Sequence, residues 1–567
     1  MTEGTKINGG DVLVKCLLEE NVKYIFGITG GQILRIYDAI YRWGREKGID
    51  TVMFRHEQAA AHAADAWARV TNTPGVCVGT VGPGATHLVP GVGAAWSDNI
   101  PIITIVPQVR SDTVDKFSLQ GGLDQVQLFK AITKYQKSVR KINEIPDAVR
   151  KCFREATGGR PQPVLLEIYE DAFLEQVEEG EIPIFEKQQY RAIEKPSISD
   201  KLIQESLDML IKAKKPLIIS GGGVARAEAW EELQEFAEYL QIPVATTISG
   251  IGTISNKSFC HLGATVAAIQ SAANRADVVL SLGCKFSFIM GYGEEPIWKN
   301  SQQLIQVDID PAMIGRTKPV SLGIVGDCQS YLSKMLKEVK KIEKIESRRW
   351  LERLKKQQEQ LFSILQGSIS TESASISAER MVQEVLEFID DDAILIVDGG
   401  NIAVSTFGQI NLYKERKPLS TLQSTGMGHL GTSVPYGIGA KLAKPDKQVV
   451  SISGDGSFMI NIQDLETAVR LGLSDLIYVV ANNSTWGMIK TGQQFTFDKR
   501  YIDVDFTEFD FGKCAEVFGC YGESVSDPNE IRGALERAKN SGKPAVLNIK
   551  IKFEVPLAMR LTGGIVL

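Results

Sequence analysis

The sequence predicts an α/β protein built from three doubly wound parallel-sheet domains. Two observations carry that prediction. Short apolar runs of strand length end on glycine turns at three places: Tyr24-Ile-Phe-Gly27 before Ile28-Thr-Gly-Gly31, Pro216-Leu-Ile-Ile-Ser220 before Gly221-Gly-Gly223, and Lys447-Gln-Val-Val-Ser-Ile-Ser453 before Gly454-Asp-Gly456. The first and third run into segments with helical apolar spacing, and a strand feeding a helix through a tight turn is the repeating unit of a doubly wound sheet. At 567 residues the chain also exceeds what one core can organise, so three or four domains are expected.

The first domain spans residues 1–185. Gly10–Glu20 reads as a helix, Tyr24–Gly27 as a strand, and Gln32–Trp43 as a second helix. Thr51–Phe54 is a strand with Arg55-His-Glu57 at its end. Glu57–Val70 is an alanine-rich helix, small enough in side chain to pack closely. Gly75–Gly79 is a strand leading to Gly82-Pro-Gly84, and Ile102–Val106 is another.

The central domain, 195–345, holds strand patterns at Pro216–Ser220, Ala276–Gly283 and Leu304–Asp310. Its three glycines invite a nucleotide reading, but without GxGxxG close helix packing explains them as well. The lysine-rich stretch Leu336–Gln360 reads as a solvated helix leading into a linker over 346–374. The third domain, 375–552, carries Asp398-Gly-Gly-Asn401, Ser424-Thr-Gly-Met-Gly-His-Leu-Gly431 and the segment that follows Lys447. There a strand, the Gly-Asp-Gly turn, a helix over Asn461–Arg470 and a strand over Leu476–Ala481 make a βαβ unit ending on Asn482-Asn-Ser-Thr485. The tail, 553–567, is apolar without a helical period.

Composition narrows the function classes. Apolar content of 43%, charged content of 23% and a net charge of −6 describe an ordinary globular chain and give no support for nucleic acid as a partner. No apolar run approaches the roughly 18 residues of a membrane span, and the first residues lack a signal-peptide pattern. Eight scattered cysteines without a CxxC pair read as reduced thiols, so a cytoplasmic location is expected.

The chemistry concentrates in the third domain. Asp455, an asparagine amide oxygen and a free backbone carbonyl are hard oxygen donors, at the carboxyl ends of two strands where open α/β sheets bind ligands. Such a set suits Mg²⁺, which keeps few protein ligands and completes its octahedron with phosphate oxygens. Glycines allow an anion to approach the backbone, and a helix start favours it. A magnesium diphosphate is the guest these residues fit. In the first domain, Glu57 at a helix start would on charge grounds be a surface residue. Its apolar surroundings instead place the carboxylate in a packed interface.

The GDG–interval–NN pattern, Arg55-His-Glu-Gln-Ala-Ala-Ala-His-Ala-Ala-Asp65 and Ser424–Gly431 together resemble the thiamin diphosphate-dependent enzymes of the acetolactate synthase, 2-hydroxyacyl-CoA lyase, oxalyl-CoA decarboxylase and benzaldehyde lyase group. The resemblance covers nearly the whole chain in the order pyrimidine-binding, central and diphosphate-binding domains. It implies thiamin diphosphate and Mg²⁺ as cofactors, with Asp455, Asn483 and the Thr485 carbonyl on the metal. The interval is about one residue longer than in some relatives, which leaves the choice between Asn482 and Asn483 open. Glu57 becomes the catalytic glutamate that shares a proton with the aminopyrimidine N1′, a role that burial favours by raising a carboxyl pKa. Gln120 matches a substrate-contacting glutamine that would hydrogen-bond an oxyanion or carbonyl. Leu430 takes the place of the residue that wedges beneath the cofactor. Gly31, Gln32, Pro83, Asn401, Gly428, Gly454, Gly456, Ser457, Trp486, Gly487 and Met488 complete the implied cofactor site. FAD, ADP, CoA or nothing remain open for the central domain. Because Glu57 and Asp455 fall in different domains, usually from two subunits in this superfamily, a homodimer or homotetramer is expected. The tail would cover the active site.

Two branches compete for the substrate. Leu119-Gln-Gly-Gly-Leu-Asp-Gln-Val126, Asp398–Asn401, Gly283–Gly293 and Gln306–Pro311 resemble the 2-hydroxyacyl-CoA lyase and benzaldehyde lyase branch. Gly27–Leu34, Gly82–Thr86 and Asp498–Tyr501 resemble acetolactate synthase, but no arginine stands in Cys284–Gly291 to clamp a keto-acid carboxylate. The expected activity is therefore a 2-hydroxyacyl-CoA lyase-like carbon–carbon lyase or carboligase acting on an acyl-CoA, a 2-keto or 2-hydroxy acid or an aldehyde. The alternatives are an acetolactate synthase-like carboligase acting on pyruvate and an inactive nucleotide-binding homologue. His87 stands where relatives carry Asn, in a structural or a catalytic role, and Glu170 where they carry apolar residues.

Overall fold

The structure is a computed structural model that describes residues 6–562, apart from 193, 265, 368 and 370–374. Three six-stranded parallel sheets form its frame. The first comprises β1 (Tyr24–Gly27), β2 (Asp50–Met53), β3 (Gly75–Val78), β4 (Ile102–Gln108), β5 (Tyr135–Val139) and β6 (Val164–Tyr169), in the order 2-1-3-4-6-5. Helix α1 (Glu57–Thr71) joins β2 to β3, and α2 (Pro83–Asp98) joins β3 to β4. The central sheet comprises β7 (Pro216–Ser220), β8 (Val244–Thr246), β9 (His261–Gly263), β10 (Val278–Leu282), β11 (Gln303–Asp308) and β12 (Leu322–Val325), in the order 9-8-7-10-11-12. The third comprises β13 (Ile394–Asp398), β14 (Thr421–Leu422), β15 (Val449–Gly454), β16 (Leu476–Asn482), β17 (Tyr521–Val525) and β18 (Ala545–Lys550), in the order 14-13-15-16-18-17. Numbered within their own sheets, the first and third follow the same plan, whereas the central one has the 3-2-1-4-5-6 order of dinucleotide-binding folds.

The chain divides into two compact units. One is residues 1–193 with 424–446 and 459–473; the other is 194–423 with 447–458 and 474–567. In the first unit, alternate residues Val76 and Val78, Ile103 and Ile105, and Leu166 and Ile168 join one apolar core with Val12, Leu13, Val149 and Phe153 of the flanking helices. Small residues let α1 approach its neighbours. A Cβ on Gly75 of β3 would lie 2.0 Å from the Ala64 carbonyl oxygen, and one on Gly91 of α2 would lie 2.5 Å from the Ala61 methyl. Helix α3 (Ser433–Ala443) packs on the same helix, with Gly439 against the Ala63 carbonyl.

In the second unit the glycines after β7 meet Gly283 after β10, at the point where strand order reverses. A Cβ on Gly223 would lie 2.6 Å from the Gly283 Cα. That close approach accounts for glycine at both positions by packing alone.

Several expected elements differ. The helix expected over Gln32–Trp43 is three pieces: a 3₁₀ turn Gly31–Ile33, one α-helical stretch Leu34–Ala39 and a wide π turn Ile40–Gly44. The lysine-rich stretch is not one solvated helix. It is the end of a helix Cys328–Val339 and the start of another, Arg349–Gly367, and Leu336, Val339, Trp350, Leu351 and Leu354 are buried. The tail forms a helix Leu557–Thr562, whose Leu557 N–H donates to Glu379 Oε1; residues 563–567 lie outside the described residues. Among the described residues no helix is long and apolar enough to cross a membrane, and all eight cysteines are unpaired thiols.

Candidate active site

In the third sheet β13, β15 and β16 run side by side, with Asp398 opposite Ser453 and Gly454 opposite Ala481. Their carboxyl ends therefore open at one edge, at the reversal of strand order between β13 and β15. Asp455 follows β15 directly. It does not sit in a plain turn but opens a one-turn helix, Asp455–Met459, too short for its dipole to add much. Its carboxylate is 5% exposed and is ringed by backbone donors. Oδ1 accepts the Gly456 N–H at 2.8 Å, and Oδ2 accepts those of Asn483 at 3.0 Å and Ser484 at 2.6 Å. Burial pushes the Asp455 carboxyl above its ordinary range, and the N–H groups of Gly456, Ser484, Asn483 and Thr485 hold it down.

The paired asparagines differ in what they are free to do. Asn482 is buried, and its Nδ2 donates to the Phe509 carbonyl and to Asn548 Oδ1, both at 2.8 Å. Asn483 is half-buried, and among the described residues only its backbone is engaged. A short bridge pairs Thr485 with Asp505 through the Trp486 N–H and the Ser484 carbonyl, leaving the Thr485 carbonyl out of the ladder.

The other residues expected in this unit surround that edge. The Trp486 ring lies where a side chain on Gly456 would be, 2.6 Å from the built Cβ, so the glycine is required by packing. Asn401, after β13, donates its Nδ2 to Thr491 Oγ1 at 2.9 Å, while its Oδ1 is buried without a hydrogen-bond partner. Gly487 lies beside Asn401, and Met488 against Gly400. Ser457 is buried, its Oγ next to Gly399, and Gly454 closes β15.

In the first unit Glu57 is the first residue of α1 and is 7% exposed. The segment before it is tethered: the Arg55 N–H donates to the buried Asp464 carboxylate at 2.8 Å, and His56 caps α1 by accepting the Gln58 N–H at Nδ1. Glu57 Oε2 lies 3.0 Å from His87 Nδ1. Sequence reasoning named His87 but not this contact, which joins two helices 30 residues apart.

The turn before His87 is held from below. Gly82 has φ +71°, Pro83 opens α2, and the Gly82 N–H donates to Gln125 Oε1 at 3.1 Å. Gln125 is fully buried and donates to Glu167 Oε1, which also accepts from Gln108, while Glu167 Oε2 accepts from Ser138. Gln120 is exposed, with φ +64°. Its carbonyl fills the place a side chain on Gly82 would take. Gln32 Oε1 accepts from Thr80 Oγ1 at 3.1 Å, and Gly31 faces open space. In the 424–446 segment, Gly428 has φ +63° with open space about it, and Leu430 is half-buried. Glu170 opens a short helix Glu170–Leu174 after β6.

These residues fit a magnesium-bound diphosphate. A buried carboxylate whose partners are neutral N–H dipoles calls for a cation. The Asn483 amide, the Thr485 carbonyl and the orphaned Asn401 oxygen are polar groups with capacity to spare, all hard oxygen donors.

Comparison with known proteins agrees with that chemistry. Family models for thiamine pyrophosphate enzymes match in three blocks: the N-terminal TPP binding domain over residues 7–128, the central domain over 203–335 and the C-terminal TPP binding domain over 400–549. The chain is 34% identical to a probable acetolactate synthase large subunit of Methanococcus aeolicus, covering 98% of this chain and 94% of that protein. It is 33% identical to one from Methanocaldococcus jannaschii, with the same coverage. To the acetolactate synthase large subunit of Haemophilus influenzae it is 31% identical, covering 99% and 97%.

These relatives overturn the expectation of a 2-hydroxyacyl-CoA lyase-like activity. Two of the short likenesses behind that reading include residues that hold the scaffold. Within Leu119–Val126, Asp124 caps a helix and Gln125 is core; within Gln306–Pro311, Gln306 is buried and bonds the Met313 carbonyl and the Gly315 N–H. Such residues report how loops are held, not which substrate is bound. The three domain matches and the full-length likeness together place this chain in the thiamine pyrophosphate enzyme family, within the acetolactate synthase group.

Proposed function

We propose that this protein is a thiamin diphosphate- and Mg²⁺-dependent carboligase that condenses two molecules of pyruvate, releasing one carbon dioxide, in the manner of acetolactate synthase. The observation that carries the reading is the Asp455 carboxylate, 5% exposed and among the described residues bonded only to N–H groups, beside an Asn483 whose side chain has no partner there. The names of full-length relatives at 31–34% identity support the substrate.

Asp455, the Asn483 amide oxygen and the Thr485 carbonyl would hold the metal, and Gly454, Gly456, Ser457 and Asn401 would receive the diphosphate. Thiamin diphosphate, when bound, supplies the electron sink that lets a 2-keto acid lose its carboxylate. Glu57 holds a proton at one carboxyl oxygen for exchange with the aminopyrimidine N1′, and its burial keeps water from competing for that proton. In the first unit Leu430, Gly31, Gln32, Pro83 and Gly428 would contact the aminopyrimidine part of the cofactor; in the second unit Trp486, Gly487 and Met488 would contact its diphosphate part. Gln120 positions a substrate carbonyl. A homodimer or homotetramer belongs to the same proposal and is read by sedimentation.

The test supplies pyruvate, Mg²⁺ and thiamin diphosphate and measures acetolactate and carbon dioxide. Both should appear in equal amounts, and Glu57→Gln should abolish them while cofactor binding persists. A protein that binds cofactor but forms no acetolactate refutes the substrate. A Glu57→Gln variant at wild-type rate refutes the role of Glu57.

A further inference from the structure

Glu57 and His87 differ sharply in access to water. The Glu57 side chain is 9% exposed and the His87 side chain 46%, yet Oε2 and Nδ1 are 3.0 Å apart. The imidazole thus reaches from solvent to a carboxylate that is otherwise enclosed. The bond occupies Oε2 and leaves Oε1 without a partner among the described residues. A carboxyl that must share a proton with a ligand needs one oxygen held and the other free, and this arrangement provides both.

The surrounding groups assign the protons. His56 stacks on His87 at 4.5 Å between centroids and 28° between planes. Its Nδ1 accepts the Gln58 N–H, so that nitrogen carries no proton. Burial, and then the neighbouring His87, hold the His56 pKa below its ordinary value, while Glu57 works the other way. Tyr37 is the third titratable neighbour; burial and the Glu57 charge push its phenol up, so it stays neutral. Of the groups around Glu57, His87 is the one whose geometry lets it donate to Oε2.

We propose that His87 is the positioning residue for Glu57: its Nδ1–H donates to Oε2, fixes the carboxyl rotamer and keeps Oε1 open towards the aminopyrimidine. This rests on the reading of Glu57 given above. Asparagine, which also carries its donor on Cγ, could make the same bond without an ionisable ring.

The test compares His87→Ala, His87→Asn and Glu57→Gln in the cofactor-loaded enzyme and in the free protein. His87→Ala should lower kcat by roughly 10- to 100-fold and leave the Kd for thiamin diphosphate within about twofold, and His87→Asn should recover most of that loss. In the free protein, which has only five histidines, ¹⁵N spectra should show His87 protonated at Nδ1, with a signal that moves in Glu57→Ala. Wild-type kcat in His87→Ala, or His87→Asn no better than His87→Ala, overturns the inference. If His87→Ala does not fold, a wild-type His87 protonated only at Nε2 overturns it instead. The two readings fail separately: an active Glu57→Gln removes the role of Glu57 itself, whereas an inactive Glu57→Gln beside a fully active His87→Ala removes only that of His87.

Discussion

Asn482 and Asn483 are chemically identical and adjacent, and the structure gives them different surroundings. Asn482 Nδ2 bonds Asn548, 66 residues further along the chain, so no local pattern could have announced its role. Replacing Asn482 with Ala strands the buried Asn548 oxygen and should cost about 1–3 kcal/mol of stability, read by urea unfolding. Asn483→Ala should leave the unfolding midpoint within error and weaken Mg²⁺-dependent cofactor binding at least tenfold. Asp464 offers a pH test. Burial raises its pKa to about 6, against the lowering by the Arg55 N–H and the Thr467 hydroxyl. A raised carboxyl pKa means the folded state holds the proton more tightly than the unfolded one. The Asp464 contribution to stability is then greatest below pH 4, falls as pH rises from 4 to 6 by on the order of 2–3 kcal/mol, and levels above. Asp464→Asn should flatten that slope in unfolding curves taken across the range. At this scale the sequence singled out Asp455 and Glu57 as candidates because their surroundings in the chain are distinctive. It hid the Glu57–His87 bond because a contact across 30 residues depends on how two helices pack.

Among the elements, strands were legible and irregular helices were not. Apolar runs such as Leu476–Asn482, buried throughout, need no partner to be recognised. The wide turn at Ile40–Gly44 leaves no mark in residue spacing, and the core residues Trp350, Leu351 and Leu354 were masked by the charged residues between and beside them. Helix α1 shows what its alanines are for. Gly439 of α3 sits against the Ala63 backbone, where a Cβ would lie 2.3 Å from the carbonyl oxygen. Neither backbone can yield cheaply, so Gly439→Ala should force the helices apart and cost about 1–3 kcal/mol, measured as a lower midpoint in thermal or urea unfolding.

For the whole chain, three parallel sheets followed from strand length and glycine placement, but the substrate did not. Gln125, at a helix start, and Gln306, in β11, resembled another branch because they hold neighbouring turns whatever the substrate. The cofactor should report on the complete molecule. Thiamin diphosphate at about 100 times its Kd should add about 2.7 kcal/mol of stability, but only with Mg²⁺ present. Chelation should abolish the gain, and Asp455→Asn should show none in differential scanning calorimetry.

The first and third sheets repeat one strand order, 2-1-3-4-6-5 in each. A single architectural plan used twice can divide its labour: in the function proposed above, one copy would offer an acid that trades a proton, the other a nest of oxygens for a metal. Because these duties rest on separate frames, selection or engineering can retune the acid's strength without loosening the anchor, and reinforce the anchor without disturbing the acid.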